Sequence, residues 1–240
     1  RVMAPETDAP VSAAEAAAAG PSGRGEVMID SVFNVPGAGT VVAGLVTGGP
    51  VRSGDTMLLG PDRTGAFQQV TVRSIHVHYT PTDVALPGRS AAFAIRPKGR
   101  AAARAKGGTQ QRRWARKGMY LVAPELEPRS SWEFEAEVLI LHHQTTLQAG
   151  YSPTIHAGVV NQVAKVLRMT KQDGTPREAL RTGDRAVLHF RWQYRPEYIK
   201  AGTMLLLRDG RAKGVGRIRA VRRDVGLAGT GGVGQTHGGH

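Results

Sequence analysis

The sequence predicts an all-β protein made of two consecutive antiparallel β-barrels. Short stretches in which apolar and polar residues alternate recur along the chain, which is the pattern of half-buried strands. Glycine, proline and aspartate separate these stretches at short intervals, as turns do. No long segment carries apolar residues at helical spacing. Together these observations favour barrels or sandwiches.

The first predicted element is a hairpin in which MIDSVFNV enters, residues 36–39 turn, and TVVAGLV leaves. The glycines of this stretch, VPGAGTVVAG, also invite comparison with nucleotide-binding loops. The dinucleotide fingerprint needs a third glycine where Val42 stands. The phosphate loop needs lysine and a hydroxyl residue where Leu45 and Val46 stand. The β-branched residues that follow are poor helix formers, so we interpret the glycines as turn residues.

Three later stretches show the alternation of strands most clearly. In FQQVTVRSIHVHY, one face carries Val70, Val72, Ser74 and His76, and Ile75 is expected on the other, less apolar face. In WEFEAEVLIL, three glutamates oppose a face of Trp132, Phe134, Ala136, Val138 and Ile140. In AVLHFRWQY, the residues expected to point inward are Leu188, Phe190, Trp192 and Tyr194, and those expected outward are His189, Arg191 and Gln193.

Composition places a domain boundary at residues 124–131, where two prolines interrupt a polar stretch between strands. We expect the first barrel at residues 27–124, with a basic loop at 96–117, and the second at 130–223. Residues 1–26 are predicted to be a disordered linker, and residues 224–240 a disordered Gly-rich tail. A glycine and an aspartate precede a strand in both VRSGDTMLLGP and LRTGDRAVLHF, which we interpret as shared turn chemistry rather than a repeat.

The net charge of +13 and the pI near 10.8 favour a polyanionic partner, usually RNA or DNA and less often an anionic membrane. Residues 96–117 hold nine basic residues and no acidic residue. Residues 211–223 hold a second cluster of basic residues, again without an acidic one. We expect the first cluster to contact phosphates, with Trp114 stacking on a base. Its candidate residues are Arg100, Arg104, Lys106, Arg112, Arg113, Trp114, Arg116 and Lys117. The alternative is a solvated insertion that touches nothing.

Other classes of site find little support. The chain has no cysteine, which excludes disulfides and thiolate metal ligands and fits a cytoplasmic protein. No apolar run approaches the roughly 20 residues of a membrane span, so no membrane partner is expected. His142 and His143 are adjacent on a predicted strand and therefore point to opposite faces, so we expect no metal site there. No nucleophile, base and acid occur in a catalytic arrangement, so we expect no catalytic residue.

Two groups of segments resemble the second and third domains of translational GTPases, whose reference members are elongation factor Tu and eukaryotic elongation factor one-alpha. The second-domain segments are IDSVFNVPGAGTVVAGLVTGGPVRSGDTMLLGP, ALPG and RKGMYLVAP. The third-domain segments are FEAEVLILHHQTTLQAGYSPTIHAGVVNQVAKVL and LRTGDRAVLHFRWQYRPEYIKAGTMLLLRDGRAKGVGRI. Within these, LHHQTT and FRWQYRPEY resemble the GTP-binding protein 1/2 subgroup. The resemblance covers the chain from about Met28 to about Val221.

The resemblance implies two barrels packed side by side, which normally follow an N-terminal GTPase domain. This chain holds no phosphate loop, and TKQD at residues 170–173 imitates the guanine motif only in part, so we interpret it as a hairpin loop. Arg1 is therefore expected to mark a cut downstream of the catalytic domain. No cofactor is expected for this chain, while GTP and magnesium are implied for the parent protein. The implied partners are tRNA or ribosomal RNA, the ribosome, and the GTPase domain of the same protein.

The resemblance also implies particular binding residues. The acceptor end of tRNA would lie against Gly39, Thr40, Val41 and Val42, with Asp83 nearby. Elongation factors place a glutamate where Val84 stands here, so the chain departs from the family's pattern at this position. Arg217 and Arg219 are predicted to share the outer face of a strand and to contact either RNA or an acidic face of the GTPase domain. A stand-alone RNA-binding double-barrel protein, ribosomal or assembly-related and without GTPase activity, is the alternative function.

Overall fold

The computed structural model describes residues 23–98, 114–210 and 212–222. In this part of the chain the protein is all-β, which confirms the predicted fold class. A 3-10 turn at Pro124–Leu126 joins two groups of strands and ends at Glu127, whose backbone is left-handed (φ 43°). Over the same residues, no helix has both the length and the apolar character needed to cross a bilayer.

The first group of strands closes into a six-stranded ring in the order β4-β9-β1-β2-β8-β5, because β4 also pairs with β5. Strand β6 extends the sheet beyond β5, and β3 and β7 form a separate two-stranded ladder. The strands are β1 (Glu26–Val35), β2 (Gly39–Val46), β3 (Val51–Arg52), β4 (Thr56–Gly60), β5 (Gln68–Val77), β6 (Thr80–Thr82), β7 (Val84–Ala85), β8 (Ser90–Pro97) and β9 (Tyr120–Val122).

The second group forms a closed barrel in the order β10-β15-β13-β12-β16-β17, and β11 and β14 form a second two-stranded ladder. Every pairing in both barrels is antiparallel. The strands are β10 (Glu133–His142), β11 (Leu147–Gln148), β12 (Thr154–Ala157), β13 (Val160–Thr170), β14 (Ala179–Leu180), β15 (Arg185–Trp192), β16 (Met204–Asp209) and β17 (Ala212–Arg222).

Each barrel encloses its own apolar core, supplied by alternate residues of the strands. Phe93 is the largest fully buried side chain of the first core. In the second core, the ring of Phe134 packs against those of Phe190 and Trp192, with centroids 5.1 and 4.7 Å away. Burying one such side chain stabilises the fold by roughly 1.5–3 kcal/mol, so these two cores are the main source of stability.

The glycine-rich stretch between β1 and β2 is a hairpin turn, as predicted. Val35 pairs with Gly39, and the amide of Ala38 donates to the carbonyl of Val35 at 3.1 Å. Gly37 and Gly39 have φ of 80° and 83°, values that glycine adopts without steric cost. TKQD is also a turn, because β13 ends at Thr170 and the amide of Gly174 donates to the carbonyl of Lys171. Neither stretch opens a helix.

The prediction for Ile75 was wrong. A bulge shifts the register of β5 against β8 between Val72 and Ser74. Since side chains alternate along a strand, one extra residue moves every later side chain to the other face. Ile75 is therefore buried in the core with Val70 and Val72, and His76 is exposed.

One prediction for the stretch 186–194 was also wrong. Tyr194 is 64% exposed because β15 ends at Trp192 and the inward alternation ends with it. His189 points outward as expected, but side chains from the neighbouring strands cover it and leave it only 6% exposed. The other inward residues of this stretch, Leu188, Phe190 and Trp192, are buried as predicted.

The turn before β4 and the turn before β15 have the same hydrogen bonds. In the first barrel, the carboxylate of Asp55 accepts from the Arg52 amide at 2.7 Å. The Gly54 amide donates to the Val72 carbonyl, and the Val72 amide donates to the Asp55 carbonyl. This arrangement ties the turn to strand β5.

In the second barrel, the carboxylate of Asp184 accepts from the Arg181 amide, also at 2.7 Å. The Gly183 amide donates to the Ile140 carbonyl, and the Ile140 amide donates to the Asp184 carbonyl. The two glycines have the same φ of 91°. The second turn is therefore tied to β10 as the first is tied to β5.

A second turn is also shared by the two barrels, and it follows β7 in the first barrel and β11 in the second. The Gly88 amide donates to the carbonyl of Val46 on β2, and the Gly150 amide donates to the carbonyl of Val166 on β13, both at 2.8 Å. The turn before β8 is thus tied to β2, and the turn before β12 is tied to β13. The similarity inferred from VRSGDTMLLGP and LRTGDRAVLHF therefore holds for the hydrogen bonds of those two turns and for this second pair of turns as well.

The barrels pack against each other through an aromatic cluster and a buried carboxylate. Tyr198, from the second barrel, lies edge-on to Tyr120 (5.0 Å between centroids) and to Phe67 (5.9 Å) of the first. Its hydroxyl donates to Glu26 at 3.1 Å, and the ammonium of Lys200 also pairs with Glu26. Burial and the nearby Glu26 carboxylate raise the pKa of Tyr120 to about 12.

Candidate nucleic-acid interface

The basic loop predicted at residues 96–117 is described only at its two ends. The candidates Arg100, Arg104, Lys106, Arg112 and Arg113 lie outside the described residues. Where the chain leaves β8, Arg96 and Lys98 are exposed, and the Lys98 ammonium lies 3.4 Å from the Thr56 hydroxyl. Where it returns, Lys117 is exposed. These cations lie near the end of the barrel that carries the β1–β2 turn, because Arg96 follows Ile95, the partner of Thr40.

Trp114 is partly buried at the surface of the first core. Its indole is partly buried against the first apolar core, and its carbonyl accepts from the Gln68 amide at 3.3 Å. Its ring nitrogen is buried without a hydrogen-bond partner among the described residues. The face of the indole that packs on the core is therefore not available to a base.

Arg116 forms part of the contact between the barrels. Its guanidinium lies 3.2 Å from the carboxylate of Glu197 and donates to the Pro61 carbonyl at 3.1 Å. Glu197 is 1% exposed, and it also pairs with Arg195 at 2.8 Å and accepts from Gln162 at 3.0 Å. Burial raises the pKa of Glu197, although both arginines oppose that change. Sequence reasoning missed this carboxylate because its partners come from distant positions in the chain.

Arg217 and Arg219 are exposed on β17 at one edge of a charged face on the second barrel. This face consists of the outer sides of β13, β15, β10 and β17. Its centre is occupied by the three glutamates of β10, each of which accepts from at least one arginine or glutamine: Glu133 from Arg191, Glu135 from Arg168 and Arg222, and Glu137 from Arg185 and Gln172. Arg217 and Arg219 form no ion pair with a described residue, so their charge remains available to a partner.

An exposed apolar row lies beside this face. Leu139, Val215 and Leu206 are in register across β10, β17 and β16. Leu206 is 50% exposed, and Met204, two residues before it on the same side of β16, is 56% exposed. Basic residues border the row: Arg208, Lys213 and Arg217. Arg217 is therefore placed between an apolar surface and a charged one.

The residues expected at the acceptor end differ in exposure, and Asp83 lies apart from those on β2. Val42 is fully buried in the first core, whereas Gly39 is exposed, and Thr40 and Val41 are partly exposed. Asp83 is exposed beyond β6, so the strands β8 and β5 separate it from β2. With neighbouring strands about 4.8 Å apart, that separation is on the order of 14 Å along the sheet.

A residue missed by the sequence reasoning lies on the outer face of β1. Phe33 is 52% exposed, and it pairs with Val41, which in turn pairs with Ala94 of β8. The bulge of β1 between Ile29 and Ser31 sets this orientation, so alternation along the sequence could not reveal it. Among the described residues, no group of three or more His, Cys, Asp or Glu side chains could hold a metal ion.

Comparison with known proteins identifies relatives that share most of this chain. GTP-binding protein 1 of Xenopus laevis is 41% identical over 193 residues, which is 80% of this chain and 27% of that protein. GTP-binding protein 2 of Mus musculus is 36% identical over 197 residues, which is 82% of this chain and 30% of that protein. The chain is homologous to a segment of GTP-binding proteins 1 and 2. The resemblance expected from the motifs is thereby confirmed.

More distant relatives include elongation factor 1-alpha of Archaeoglobus fulgidus, which is 27% identical over 170 residues, 68% of this chain and 36% of that protein. The segment is thus related to translational GTPases. No profile of a known protein family matches the chain. The chain spans about a third or less of the length of the GTP-binding proteins that it matches.

Proposed function

We propose that this chain is the non-catalytic double-barrel module of a translational GTPase of the GTP-binding protein 1/2 type. The observation that carries this proposal is the 41% identity to GTP-binding protein 1 over 80% of the chain. In the proposal, the complete protein is cytoplasmic and binds and hydrolyses GTP with magnesium in translation elongation or surveillance. The module engages tRNA or ribosomal RNA on the ribosome, and it docks the GTPase domain of the same protein.

The apolar row on β16 supports the proposed contact with the GTPase domain. Leu206 and Met204 are half-exposed aliphatic side chains, which offer no stacking surface to a base. Apolar side chains at the centre of a patch and charged ones at its rim are typical of a protein–protein interface. The rim here is basic, through Arg208, Lys213 and Arg217, so it complements an acidic partner surface.

The excess positive charge supports the proposed contact with RNA. The basic loop borders the barrel end at Arg96, Lys98 and Lys117, and its remaining candidates lie between these described positions in the sequence. Cations that neutralise phosphates supply most of the affinity in such complexes and make it depend on salt. We leave Arg116 and Trp114 out of this contact, because one pairs with Glu197 and the other packs on the first core.

Nucleotide binding tests the proposal that the complete protein binds and hydrolyses GTP whereas this chain alone does not. The complete product of the coding region should prefer a fluorescent GTP analogue over its ATP counterpart at moderate salt and hydrolyse GTP with magnesium. This chain alone should bind both analogues equally and only at low salt, because a net charge of +13 attracts any polyphosphate. If the complete product shows neither preference nor hydrolysis, the stand-alone RNA-binding alternative replaces the proposal.

A further inference from the structure

A recess of about 440 Å³ opens on the charged face of the second barrel. It lies where β13 runs into the turn at residues 171–174, and β15, β10 and β17 form the rest of its wall. Its charged and ionisable lining consists of Arg168, Lys171, His189, Arg219 and Glu135. None of these residues contributes to the apolar cores or to the contact between the barrels.

The recess is positive because its one carboxylate is already paired. Glu135 accepts from Arg168 at 3.0 Å and from Arg222 at 3.4 Å. Burial alone would raise the pKa of Glu135, but these hydrogen bonds outweigh burial and lower it, so the carboxylate is ionised at neutral pH. Lys171 and Arg219 are exposed and form no ion pair with described residues. Their charges are therefore not cancelled within the recess.

His189 provides a polar group in the wall of the recess. It is in register with Arg168 on one side and with Glu135 on the other. Its Nε2 lies 2.9 Å from a Glu133 oxygen, yet at an angle that makes no hydrogen bond. Burial and the neighbouring cations Arg222 and Arg168 lower the pKa of His189. The ring of His189 therefore lies in the wall of the recess, where its signals can report an anion that enters.

We propose that this recess binds the phosphodiester backbone of a folded RNA, with Lys171 and Arg219 neutralising phosphates at its mouth and Arg168 held in place by Glu135. The inference rests on the proposed RNA-binding function and adds a site separate from the basic loop. A protein partner fits less well, because the apolar part of the lining is small: it consists of the nearly buried Val187 and the single methyl group of Ala220. Backbone contacts of this kind position an RNA without reading its sequence.

The test is a salt titration of RNA binding with two double variants that lose the same charge. Lys171→Ala with Arg219→Ala removes two cations from the recess. Arg52→Ala with Arg73→Ala removes two exposed cations from the first barrel. The probes are a labelled tRNA transcript and a short RNA duplex. Each lost phosphate contact should reduce the slope of log affinity against log salt by roughly 0.7–0.9, so the recess variant should lose about 1.5 and the control variant nearly nothing.

Three other outcomes are distinguishable. Equal slopes for the recess variant and the unchanged chain, with RNA binding intact, contradict the recess site and leave the proposed function standing. Equal losses in the two double variants show a diffuse charge effect and also contradict the site. Absence of salt-dependent RNA binding by the unchanged chain contradicts both proposals.

The NMR signals of His189 can distinguish RNA bound in the recess from RNA that is only attracted to the charged surface. The ring signals of His189 in an NMR titration should shift when the RNA duplex is added, and its pKa should rise because a nearby phosphate favours the protonated ring. The groups that face this ring, Glu133, Glu135, Arg168 and Arg222, are the same with and without RNA. Unshifted His189 signals at saturating RNA would contradict the site. Inorganic phosphate that produces the same shift at low millimolar concentration would indicate a small-anion site instead and overturn the RNA proposal.

Discussion

The two barrels share four strands and differ in where two further strands are inserted. The hydrogen bonds of the shared turns show which strands correspond. Strand β4 corresponds to β15 and β5 to β10, while β2 corresponds to β13 and β8 to β12. In the first barrel, β5 pairs directly with β8, while β9 and β1 separate β4 from β2. In the second barrel, β15 pairs directly with β13, while β16 and β17 separate β12 from β10. The closed ring has six strands in both cases.

The order of the equivalent strands along the chain also differs. Along the chain, the shared strands of the first barrel come in the order β2, β4, β5, β8. Those of the second barrel come in the order β10, β12, β13, β15, which correspond to β5, β8, β2 and β4. One order is a cyclic permutation of the other. The same four strands and turns therefore occur in both barrels although the chain enters them at different points.

The inserted strands carry much of the exposed apolar surface. In the first barrel, β1 exposes Phe33 and Val35, and β9 directly follows the basic loop. In the second barrel, β16 exposes Met204 and Leu206, and β17 carries Arg217 and Arg219. The comparison teaches that the inserted strands complete each ring and also carry most of the exposed apolar side chains that lie on strands.

The largest expected effect on stability comes from two glycines, Gly44 and Gly216, at which a shared and an inserted strand lie very close together. A Cβ at Gly44 would lie 1.9 Å from the Met28 carbonyl oxygen, and one at Gly216 would lie 2.3 Å from that of Glu137. Gly44→Ala and Gly216→Ala should each lower the free energy of unfolding by about 3 kcal/mol, measured by urea denaturation. Gly214→Ala, on the same strand as Gly216, is the control, because its nearest atom is 3.2 Å away. Equal losses at 214 and 216 would contradict the role of close approach.

The next effect concerns the ion pair between the barrels. Arg116→Ala leaves the buried Glu197 with fewer partners, so we expect a loss of about 2 kcal/mol in unfolding free energy at pH 7. Lys117→Ala, at the exposed neighbouring position, should change stability by less than about 0.5 kcal/mol. Both values come from urea denaturation.

The same variant has a predicted pH dependence. Burial raises the pKa of Glu197 above its ordinary 4.5, so its contribution to stability is greatest below that pH and declines as pH rises through the folded-state pKa. Removal of Arg116 should raise this pKa further. The stability of Arg116→Ala should therefore fall more steeply than that of the unchanged chain as the pH rises above about 4.5. Parallel stability curves for the two proteins would refute the pairing.

A smaller effect tests whether the shared turns are equivalent. Asp55→Ala and Asp184→Ala each remove a 2.7 Å hydrogen bond to a turn amide, at a cost of about 1 kcal/mol. Asp184 also pairs with Arg177 at 3.0 Å, on the partly exposed surface, which should add only a few tenths of a kcal/mol. Thermal unfolding measures both. A loss at one aspartate and none at the other would end the equivalence of the two turns.

Local sequence patterns predicted the fold better than the binding surfaces. Alternation in WEFEAEVLIL and the glycines at residues 36–39 predicted a strand and a turn, because both depend on neighbouring residues. Ile75 was misplaced since a bulge against β8 sets its face, and no pattern within β5 reports that bulge. Arg116 and Trp114 were assigned to an RNA-binding loop, and only the folded barrels bring Glu197 and the first core to them.

The permutation of the barrels was likewise beyond local reasoning. VRSGD and LRTGD are visible as similar motifs, and they predict similar turns. Which strand each turn contacts depends on pairing between residues far apart in the chain, as between Gly183 and Ile140. The motif therefore predicted the turn and not the topology.

The most direct test compares an exposed leucine on an inserted strand with one on a shared strand. Leu206 on β16 is 50% exposed, and Leu167 on β13 is 37% exposed, so Leu206→Asp and Leu167→Asp should both leave the fold stable to within about 0.5 kcal/mol. Calorimetry would measure the affinity of each variant for the separately expressed GTPase domain that we propose for the complete protein. The account predicts that Leu206→Asp weakens this binding by about tenfold or more and that Leu167→Asp leaves it unchanged. Unchanged binding by Leu206→Asp, or equal weakening by both variants, would contradict the assignment of the docking surface to the inserted strands.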